Sequence, residues 1–301
     1  MTVPSGPRVV AIGGGHGLAQ TLQASRRYAG ELTAVVSVAD DGGSSGRLRE
    51  SLGIPAPGDL RRCIGALLPA PSALGAALEH RFVSGELAGH AFGNLLIAAL
   101  AATTGDFVEG VRDAARLLGT DGEVLPATTG PVVLKATSAS GELTGQALIT
   151  TCAEIRTISL VPPDAPSPAA VVQAIGRADQ IILGPGSLFT SVLAACIVPD
   201  VRSALHATSA RVVYVANLRE QHPETDGYDV ADHVRALLAH GIVPDAVLAD
   251  PNGLPLGELP ADIQVVVADV RRIDLVAHDP GRLAAQLAQL ATNDACGIHD
   301  R

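Results

Sequence analysis

Short apolar runs alternate along the chain with segments whose apolar residues recur at helical spacing. Residues 8–12 and 32–38 are almost uninterrupted apolar runs, which is typical of parallel strands buried on both faces. Gly13 ends the first run, and Leu18 and Leu22 indicate a helix after it. Strand, glycine turn, helix and strand within about thirty residues predict a βαβ unit.

A block of helices is predicted next. The segments 60–68, 74–87 and 92–103 have helical patterns, and Asp59 stands where the N-cap of the first is expected. A further amphipathic helix is indicated by apolar residues three or four positions apart. These residues are Phe107, Val111, Ala114, Ala115 and Leu118.

From about residue 122 to residue 161 the pattern changes to short β runs separated by glycines, which predicts an inserted antiparallel β segment. These runs are residues 132–136, 143–150 and 156–161. The Pro-rich segment 162–168 is the best candidate for a break within the chain.

The α/β rhythm then resumes up to residue 249. Strands are predicted at residues 180–183, 211–216 and 246–249, with helices from Val171, Leu188 and Val230. We therefore predict a single α/β domain over residues 1–301, with a Rossmann-like, doubly wound and mostly parallel sheet.

Composition narrows the classes of partner. Hydrophobic residues make up 47% of the chain but aromatic residues only 2%, so Ala, Val, Leu and Ile must form the core. The net charge is -10 and Lys135 is the only lysine, which argues against binding to a nucleic-acid backbone. Four arginines form a local basic cluster that suits a small phosphorylated ligand: Arg47, Arg49, Arg61 and Arg62.

The sequence contains no recognisable cysteine motif for metal or redox chemistry, and no recognisable secretory or membrane-spanning segment. Cys63, Cys152, Cys196 and Cys296 are far apart, so neither a zinc site nor a redox motif is indicated. The N-terminal residues lack the apolar region of a secretory signal, and the longest apolar stretch, 95–102, is too short to span a bilayer. We expect a cytoplasmic protein without a membrane span.

The first glycine turn, AIGGGHGL, follows the first predicted strand and supplies Gly13, Gly14, Gly15, His16 and Gly17. Small residues there allow a ligand to approach the backbone, and the next helix offers N–H groups to an anion. Leu18 replaces a glycine of the dinucleotide fingerprint, so the match to NAD binding is weak. The alternative is that the glycines only permit a tight turn.

A second glycine turn, ILGPGSLFTS, follows the strand at 180–183. It contains Gly184 and Gly186, and the hydroxyls of Ser187 and Thr190 follow. Two such turns at one sheet edge would form a crevice at a topological switch point. Together they favour a phosphorylated ligand.

The stretch VADDGGSSGRLR combines acid, flexible backbone, hydroxyl and guanidinium groups, in Asp40, Asp41, Ser44, Ser45 and Arg47. Asp40 follows a strand, where a carboxylate can accept hydrogen bonds from ribose hydroxyls. Asp40 and Asp59 could instead hold Mg²⁺ together with phosphate oxygens.

The arginines of this region leave two interpretations open. Arg47 and Arg61 could grip phosphate oxygens, or they could pair with the aspartates.

These motifs, with GIPAPGDLRRC, GHAFGN and ETDGY in the same order, resemble the YvcK-type gluconeogenesis factor family of the CofD-like superfamily. The resemblance runs from about residue 9 to residue 250. It implies a Rossmann-like fold that binds a nucleotide sugar, UDP-N-acetylglucosamine in several members. The family is linked to growth on gluconeogenic carbon sources, cell shape and peptidoglycan precursor supply. Distant relatives are 2-phospho-L-lactate transferases, which transfer a phospholactyl group to a deazaflavin precursor.

The resemblance also raises further candidate ligand-binding residues, namely His90, Asn94, Asn217, Glu224, Thr225 and Asp226. Helix capping, a buried histidine or a solvated loop are the alternatives for them. The chain differs from the usual family pattern at His16, where Thr is usual, at Arg62, where Asn is usual, and between Asn217 and Glu224.

No catalytic nucleophile can be named, because no serine elbow, H-E-x-x-H motif or Walker lysine is present. The sequence thus leaves open whether the protein is an enzyme, and we expect a homo-oligomer.

Overall fold

A seven-stranded parallel sheet forms the centre of the computed structural model, which describes residues 6–274 and 277–292. Its strands are β1 (Arg8–Gly13), β2 (Glu31–Val36), β3 (Glu123–Pro126), β7 (Gln180–Leu183), β8 (Arg211–Val215), β9 (Ala246–Ala249) and β10 (Gln264–Val267). They are ordered β10-β9-β8-β7-β1-β2-β3. Every pair in this sheet is parallel, which confirms the predicted α/β class.

A smaller antiparallel sheet has the order β5-β4-β6 and consists of β4 (Val133–Ser138), β5 (Gly141–Thr144) and β6 (Ile155–Val161). The predicted insertion at about 122–161 began too early, because Glu123–Pro126 pairs with β2 in the parallel sheet. The predicted strand at 143–150 was wrong beyond Thr144. Gly145 has a φ of 102°, and a helical turn follows it directly.

Although no helix lies in the described segment between β9 and β10, helices lie in most of the crossovers that the parallel strands need. They are α1 (Gly15–Ser25), α2 (Gly43–Leu52), α3 (Gly58–Ala66), α4 (Ala73–Glu79), α5 (Phe92–Thr104), α6 (Phe107–Leu118), α7 (Gln146–Ile149), α8 (Ala169–Arg177), a π-helix (Leu188–Leu193) that continues as α9 (Ala194–Cys196), α10 (Pro199–Ala207), α11 (Val230–Ala239) and α12 (Pro280–Thr292).

The predicted helix at 74–87 was too long. α4 ends at Glu79, and the chain turns back on itself so that Arg81 and Ala91 form an antiparallel bridge. Gly85 and Gly89 supply left-handed backbone conformations inside this loop, with φ of 72° and 80°. A continuous helix is therefore replaced by a short hairpin, which we call the 80–91 hairpin.

Aliphatic side chains fill the core, as the composition requires. Val9, Val10, Ala11 and Ile12 of β1 are all at most 2% exposed. Among the described helices no single one is long and apolar enough to cross a membrane, and one pair, Leu188–Cys196 with Pro199–Ala207, meets that test only when both halves are joined across a 72° bend.

The strand order places a switch point in the middle of the sheet. The chain runs from β1 outward to β2 and β3, and later returns to the other side of β1 as β7. In such sheets, ligands bind beyond the carboxyl ends of the strands where the order reverses. This position lies between β1 and β7, and each of these two strands is followed by a glycine turn.

Candidate functional site

The two glycine turns pack against each other at the switch point. A Cβ atom at Gly17 would lie 2.2 Å from the carbonyl oxygen of Pro185, and one at Gly186 would lie 3.5 Å from that of Gly14. A Cβ atom at Gly13 would lie 3.9 Å from the Cα atom of Gly184. Part of the glycine content therefore serves the close approach of two backbones.

Three helix N-termini converge beside these turns. α1 begins at Gly15, α2 at Gly43 and α3 at Gly58. A Cβ atom at Gly58 would lie 2.3 Å from Ser45 Oγ and 3.5 Å from Asp40 Oδ2, so the starts of α2 and α3 are in contact. Because the first N–H groups of a helix lack intrahelical partners, this convergence can bind an oxyanion. We call it the crevice.

Asp59 links α3 to α1 within the crevice. Its Oδ2 accepts a hydrogen bond from the Gly15 N–H at 2.7 Å, and its Oδ1 accepts one from Arg62 at 2.5 Å. The predicted N-cap role was wrong, because α3 already begins at Gly58.

The surroundings of Asp59 raise the pKa of its carboxyl group. Burial raises the pKa of its carboxyl, Arg62 opposes this shift and Asp40 adds to it. Asp40 is half-buried, and its Oδ1 accepts from the Gly42 N–H at 2.9 Å. The crevice thus combines two neighbouring carboxylates with the positive ends of helices.

Asp41 is not brought together with Asp40 in this crevice. Its Oδ2 accepts from the Gln146 N–H at 3.0 Å and its Oδ1 from the Ala147 N–H at 2.8 Å. Both oxygens therefore cap α7 and tie the antiparallel segment to the turn after β2. In this structure Asp41 has a structural role.

Ser44, His90, Asn94 and Arg61 form a polar network behind α2. Ser44 Oγ lies 3.1 Å from His90 Nδ1 and accepts from Asn94 Nδ2 at 3.0 Å. Arg61 is 3% exposed and donates to Asn94 Oδ1 at 3.3 Å and to Glu79 Oε1 at 3.2 Å. Burial lowers the pKa of Arg61. His90 and Asn94 therefore contact the first turn of α2 through Ser44, and Arg61 holds Asn94 in place.

His16 and Arg47, which were predicted to contact the ligand, are exposed side chains. His16 lies in the first turn of α1, and Arg47 lies one turn into α2. Arg47 Nη2 donates to the carbonyl oxygen of Ala88 in the 80–91 hairpin at 3.0 Å.

The carboxylate of Glu224 accepts the hydrogen bonds that the second glycine turn could offer to a ligand. Glu224 Oε1 accepts from the N–H groups of Phe189 at 2.7 Å and Thr190 at 3.3 Å, and Oε2 accepts from the Ser187 hydroxyl. The side chain is 1% exposed, and burial raises its pKa while these hydrogen bonds oppose the shift. The start of the π-helix is therefore already satisfied.

The neighbours of Glu224 also hold this turn and its loop. Asn217 accepts from the Gly186 N–H at 3.0 Å and donates to its carbonyl oxygen at 2.9 Å. Thr225 Oγ1 accepts from the Gln221 N–H at 2.9 Å and is buried. Asp226 is exposed and lies 2.7 Å from His222 Nδ1.

The sequence and the fold of the chain match a known family. The family model described as 2-phospho-L-lactate transferase CofD matches residues 9–293. The chain belongs to the CofD family. A gluconeogenesis factor relative from Deinococcus radiodurans is 41% identical over 313 residues, covering 96% of this chain and 67% of the relative. The gluconeogenesis factor of Halalkalibacterium halodurans is 40% identical, over 83% of this chain and 79% of its own. A UPF0052 protein from Bacillus halodurans has a TM-score of 0.88 at 33% identity, covering 94% of this chain and 99% of its own.

The sequence analysis did not identify the polar residues near the carboxyl end of β9, on the β7 side of the sheet. Asp250 follows β9 and accepts from the Val270 N–H at 3.0 Å and from Arg271 at 2.8 Å. His278 is 4% exposed, and burial lowers its pKa to about 4. An acid directly after a predicted strand, the signal that pointed to Asp40, was also present at Asp250.

A metal site in this CofD-family chain would be incomplete without the ligand. Among residues 6–274 and 277–292, no group of three or more His, Cys, Asp or Glu side chains is arranged to hold an ion. Asp40 and Asp59 form a pair, and Mg²⁺ commonly binds one or two carboxylates plus substrate phosphates.

Proposed function

We propose that this chain binds a nucleotide sugar, UDP-N-acetylglucosamine, in the crevice. In this proposal it acts in the cytoplasm as a regulator of central carbon metabolism, cell shape and peptidoglycan precursor supply. The observation that carries the proposal is the convergence of the α1, α2 and α3 N-termini at the switch point between β1 and β7. The gluconeogenesis factor names of the relatives support the metabolic part.

The diphosphate would lie against the first N–H groups of α2 and against the N–H groups of α1 that follow Gly15. The Gly15 N–H itself already donates to Asp59. Asp40 would accept hydrogen bonds from ribose or sugar hydroxyls. Arg47 is one helical turn from the start of α2, and its side chain can reach a phosphate oxygen after leaving the Ala88 carbonyl. The second glycine turn would support the crevice without binding phosphate, because Glu224 already satisfies it.

The neighbouring carboxylates Asp40 and Asp59 make the crevice suitable for Mg²⁺. Asp40 and Asp59 repel each other, and this repulsion contributes to the raised pKa of Asp59. When bound, a divalent cation supplies charge neutralisation of both the carboxylates and the diphosphate. Asp40 and Asp59 would hold it.

The description of the matching family model favours a second candidate, a phospholactate transferase. Such an enzyme must hold a planar deazaflavin precursor, and an aromatic ring commonly stacks on a planar ligand. The chain has three Tyr and four Phe residues and no Trp, and none of the seven rings is fully exposed. We therefore rank the binding function first.

Calorimetric titration of the whole chain with UDP-N-acetylglucosamine, UDP, uridine, GDP and NAD tests the first proposal. We expect UDP-N-acetylglucosamine and UDP to bind and uridine to bind weakly, since uridine lacks the diphosphate. Asp40→Asn should weaken the sugar nucleotide about ten- to a hundredfold, because hydrogen bonds to charged groups are worth roughly 1.5–3 kcal/mol. Absence of binding by both uridine diphosphates would refute the proposal.

Incubation with the nucleotide-activated phospholactate donor and the deazaflavin acceptor tests the second. Product formed at enzyme-like rates would replace the regulatory proposal with the transferase.

A further inference from the structure

β10 forms one end of the parallel sheet, and its side chains are open to solvent. Among the strands of the described residues, β9 alone pairs with it, so the other edge of β10 is free. All four residues of β9 are buried, whereas Val265 and Val267 of β10 are 38% and 48% exposed. A free edge that carries apolar side chains is a template for pairing with another strand.

The free edge presents the backbone groups of Val265 and Val267. The Gln264 N–H donates to the Asp245 carbonyl oxygen at 3.0 Å, and the Ala268 N–H likewise donates to a residue of β9. In a strand, the N–H groups of successive residues point to opposite sides, and the N–H and C=O groups of one residue lie on the same side. Both backbone groups of Val265 and of Val267 therefore point away from β9.

We propose that a second copy of this chain pairs with this edge, β10 against β10, about a two-fold axis at Val266. Such an axis makes the two strands antiparallel and places residue 265 of each copy opposite residue 267 of the other. Opposed residues of this kind exchange both of their N–H···O bonds. The pairing therefore satisfies the free backbone groups of Val265 and Val267 in both copies at once.

The side chains of β10 suit the same register. Val265 and Val267 are two residues apart and so lie on one face of the strand. The pairing sets four valines side by side on that face, and pairs of β-branched residues across antiparallel strands stabilise a sheet. Exposed apolar side chains also flank β9 and β10 along the chain, namely Val243, Leu256 and Ile273. They enlarge the apolar surface at this end of the sheet.

The charges beside β10 favour a second copy in this antiparallel arrangement. The exposed Asp262 precedes the strand, and Arg272 follows it with a side chain that is 54% exposed. Asp269, which lies between β10 and Arg272, is paired with Arg282. The ion pair of Arg272 with Asp274 joins two exposed groups, and such pairs are weak. Antiparallel pairing places the acidic flank of each copy on the side of the basic flank of the other.

Analytical ultracentrifugation of the whole chain, combined with cysteine cross-linking, tests this interface. We expect a dimer at micromolar concentration. Residue 266 lies opposite itself in a non-hydrogen-bonded pair, where the Cα atoms are about 4.5 Å apart, a distance that a disulfide spans. Val266→Cys should therefore form a covalent dimer in an oxidising buffer. Val265→Cys is the matched control, because its two copies lie diagonally, about 7–8 Å apart, and are too distant for a disulfide. The wild type sets the background from its own four cysteines.

A second variant tests the interface without a disulfide. Val267→Lys should raise the dissociation constant of the dimer at least tenfold, because it places two like charges diagonally on one face and because charged edge residues oppose strand pairing. Val83→Lys is its control, since Val83 is 92% exposed in the 80–91 hairpin, and it should dimerise as the wild type does.

Three results would overturn the proposal. They are a monomeric wild type, a dimer in which Val266→Cys cross-links no better than Val265→Cys, and a Val267→Lys variant that dimerises like the wild type. The first would leave the edge to another partner, and the other two would place the dimer interface elsewhere. No nucleotide is present in these measurements, so their outcome is independent of the proposed function.

Discussion

Asp59 and Glu224 are acidic side chains that each accept hydrogen bonds from the start of a helix to which they do not belong. Asp59 accepts from the first residue of α1, and Glu224 from the first turn of the π-helix. Glycine turns before helices suggest free anion sites, and the sequence pattern could not show that a carboxylate 35 residues away from Phe189 fills one of them. Only the tertiary structure brings these residues together.

For Glu224 we expect different effects of two substitutions. Glu224→Ala should lower the free energy of unfolding by about 1–3 kcal/mol, because it leaves buried N–H groups without an acceptor. Glu224→Gln keeps an acceptor and should be at least as stable as the wild type at pH 7. The pKa of Glu224 is raised in the folded protein, so the folded chain binds this proton more tightly than the unfolded chain does. The free energy of unfolding that this proton contributes is therefore lost as the pH rises through the folded pKa. Urea unfolding at pH 5 and pH 7 measures this, and a glutamine variant less stable than the alanine variant would contradict it.

Asp40 and Asp41 are adjacent in sequence but should behave differently. Asp41→Asn replaces one of the two accepting oxygens with an NH₂ group, so one N–H of α7 loses its acceptor. This should cost roughly 0.5–1.5 kcal/mol of stability, while UDP-N-acetylglucosamine affinity changes less than twofold. Asp40→Asn should do the reverse. Parallel unfolding and calorimetric measurements on both variants check this, and equal losses of affinity would show that Asp41 also contacts the ligand.

At the scale of elements, the apolar pattern predicted β1, β2, β7, β8 and β9 well, because buried parallel strands are continuous apolar runs. The same pattern missed α2, whose first half is glycine and serine, residues with low helix propensity. Tertiary contact supports that element: α3 packs so closely on it that a Cβ atom at Gly58 would lie 2.3 Å from Ser45 Oγ. The candidate site was therefore predicted in its turns and carboxylates, but not in the helix that arranges them.

The contact between the two glycine turns gives a further prediction. Gly17→Ala should strongly destabilise the protein, because its Cβ would lie 2.2 Å from the backbone of Pro185, and relief of such a clash typically costs about 1–3 kcal/mol. Gly176→Ala is the control. It is an exposed helical position with open space around it, and alanine there should stabilise by up to about 1 kcal/mol. Thermal unfolding of both variants decides, and a wild-type melting temperature for Gly17→Ala would mean that the turns separate easily.

For the whole molecule, a buried histidine links stability to pH. Burial lowers the pKa of His233, which lies 2.7 Å from the Tyr214 hydroxyl, to about 4. Between that value and the ordinary value of about 6.5, the unfolded chain binds more protons than the folded one, so stability falls as the pH falls. His233→Gln should therefore gain about 2 kcal/mol relative to the wild type between pH 7 and pH 5. Urea unfolding at both values tests this, and a constant difference would assign the histidine a normal pKa in the folded protein.

The hydrogen bond from Gly15 to Asp59 has one more consequence. An incoming anion must share the start of α1 with a carboxylate that already holds the Gly15 N–H. If the crevice binds the proposed diphosphate, a bare phosphate would meet repulsion from Asp59 there, whereas the same phosphate accompanied by a cation would meet attraction from the same side chain. The crevice would then bind the metal complex of an anion in preference to the free anion.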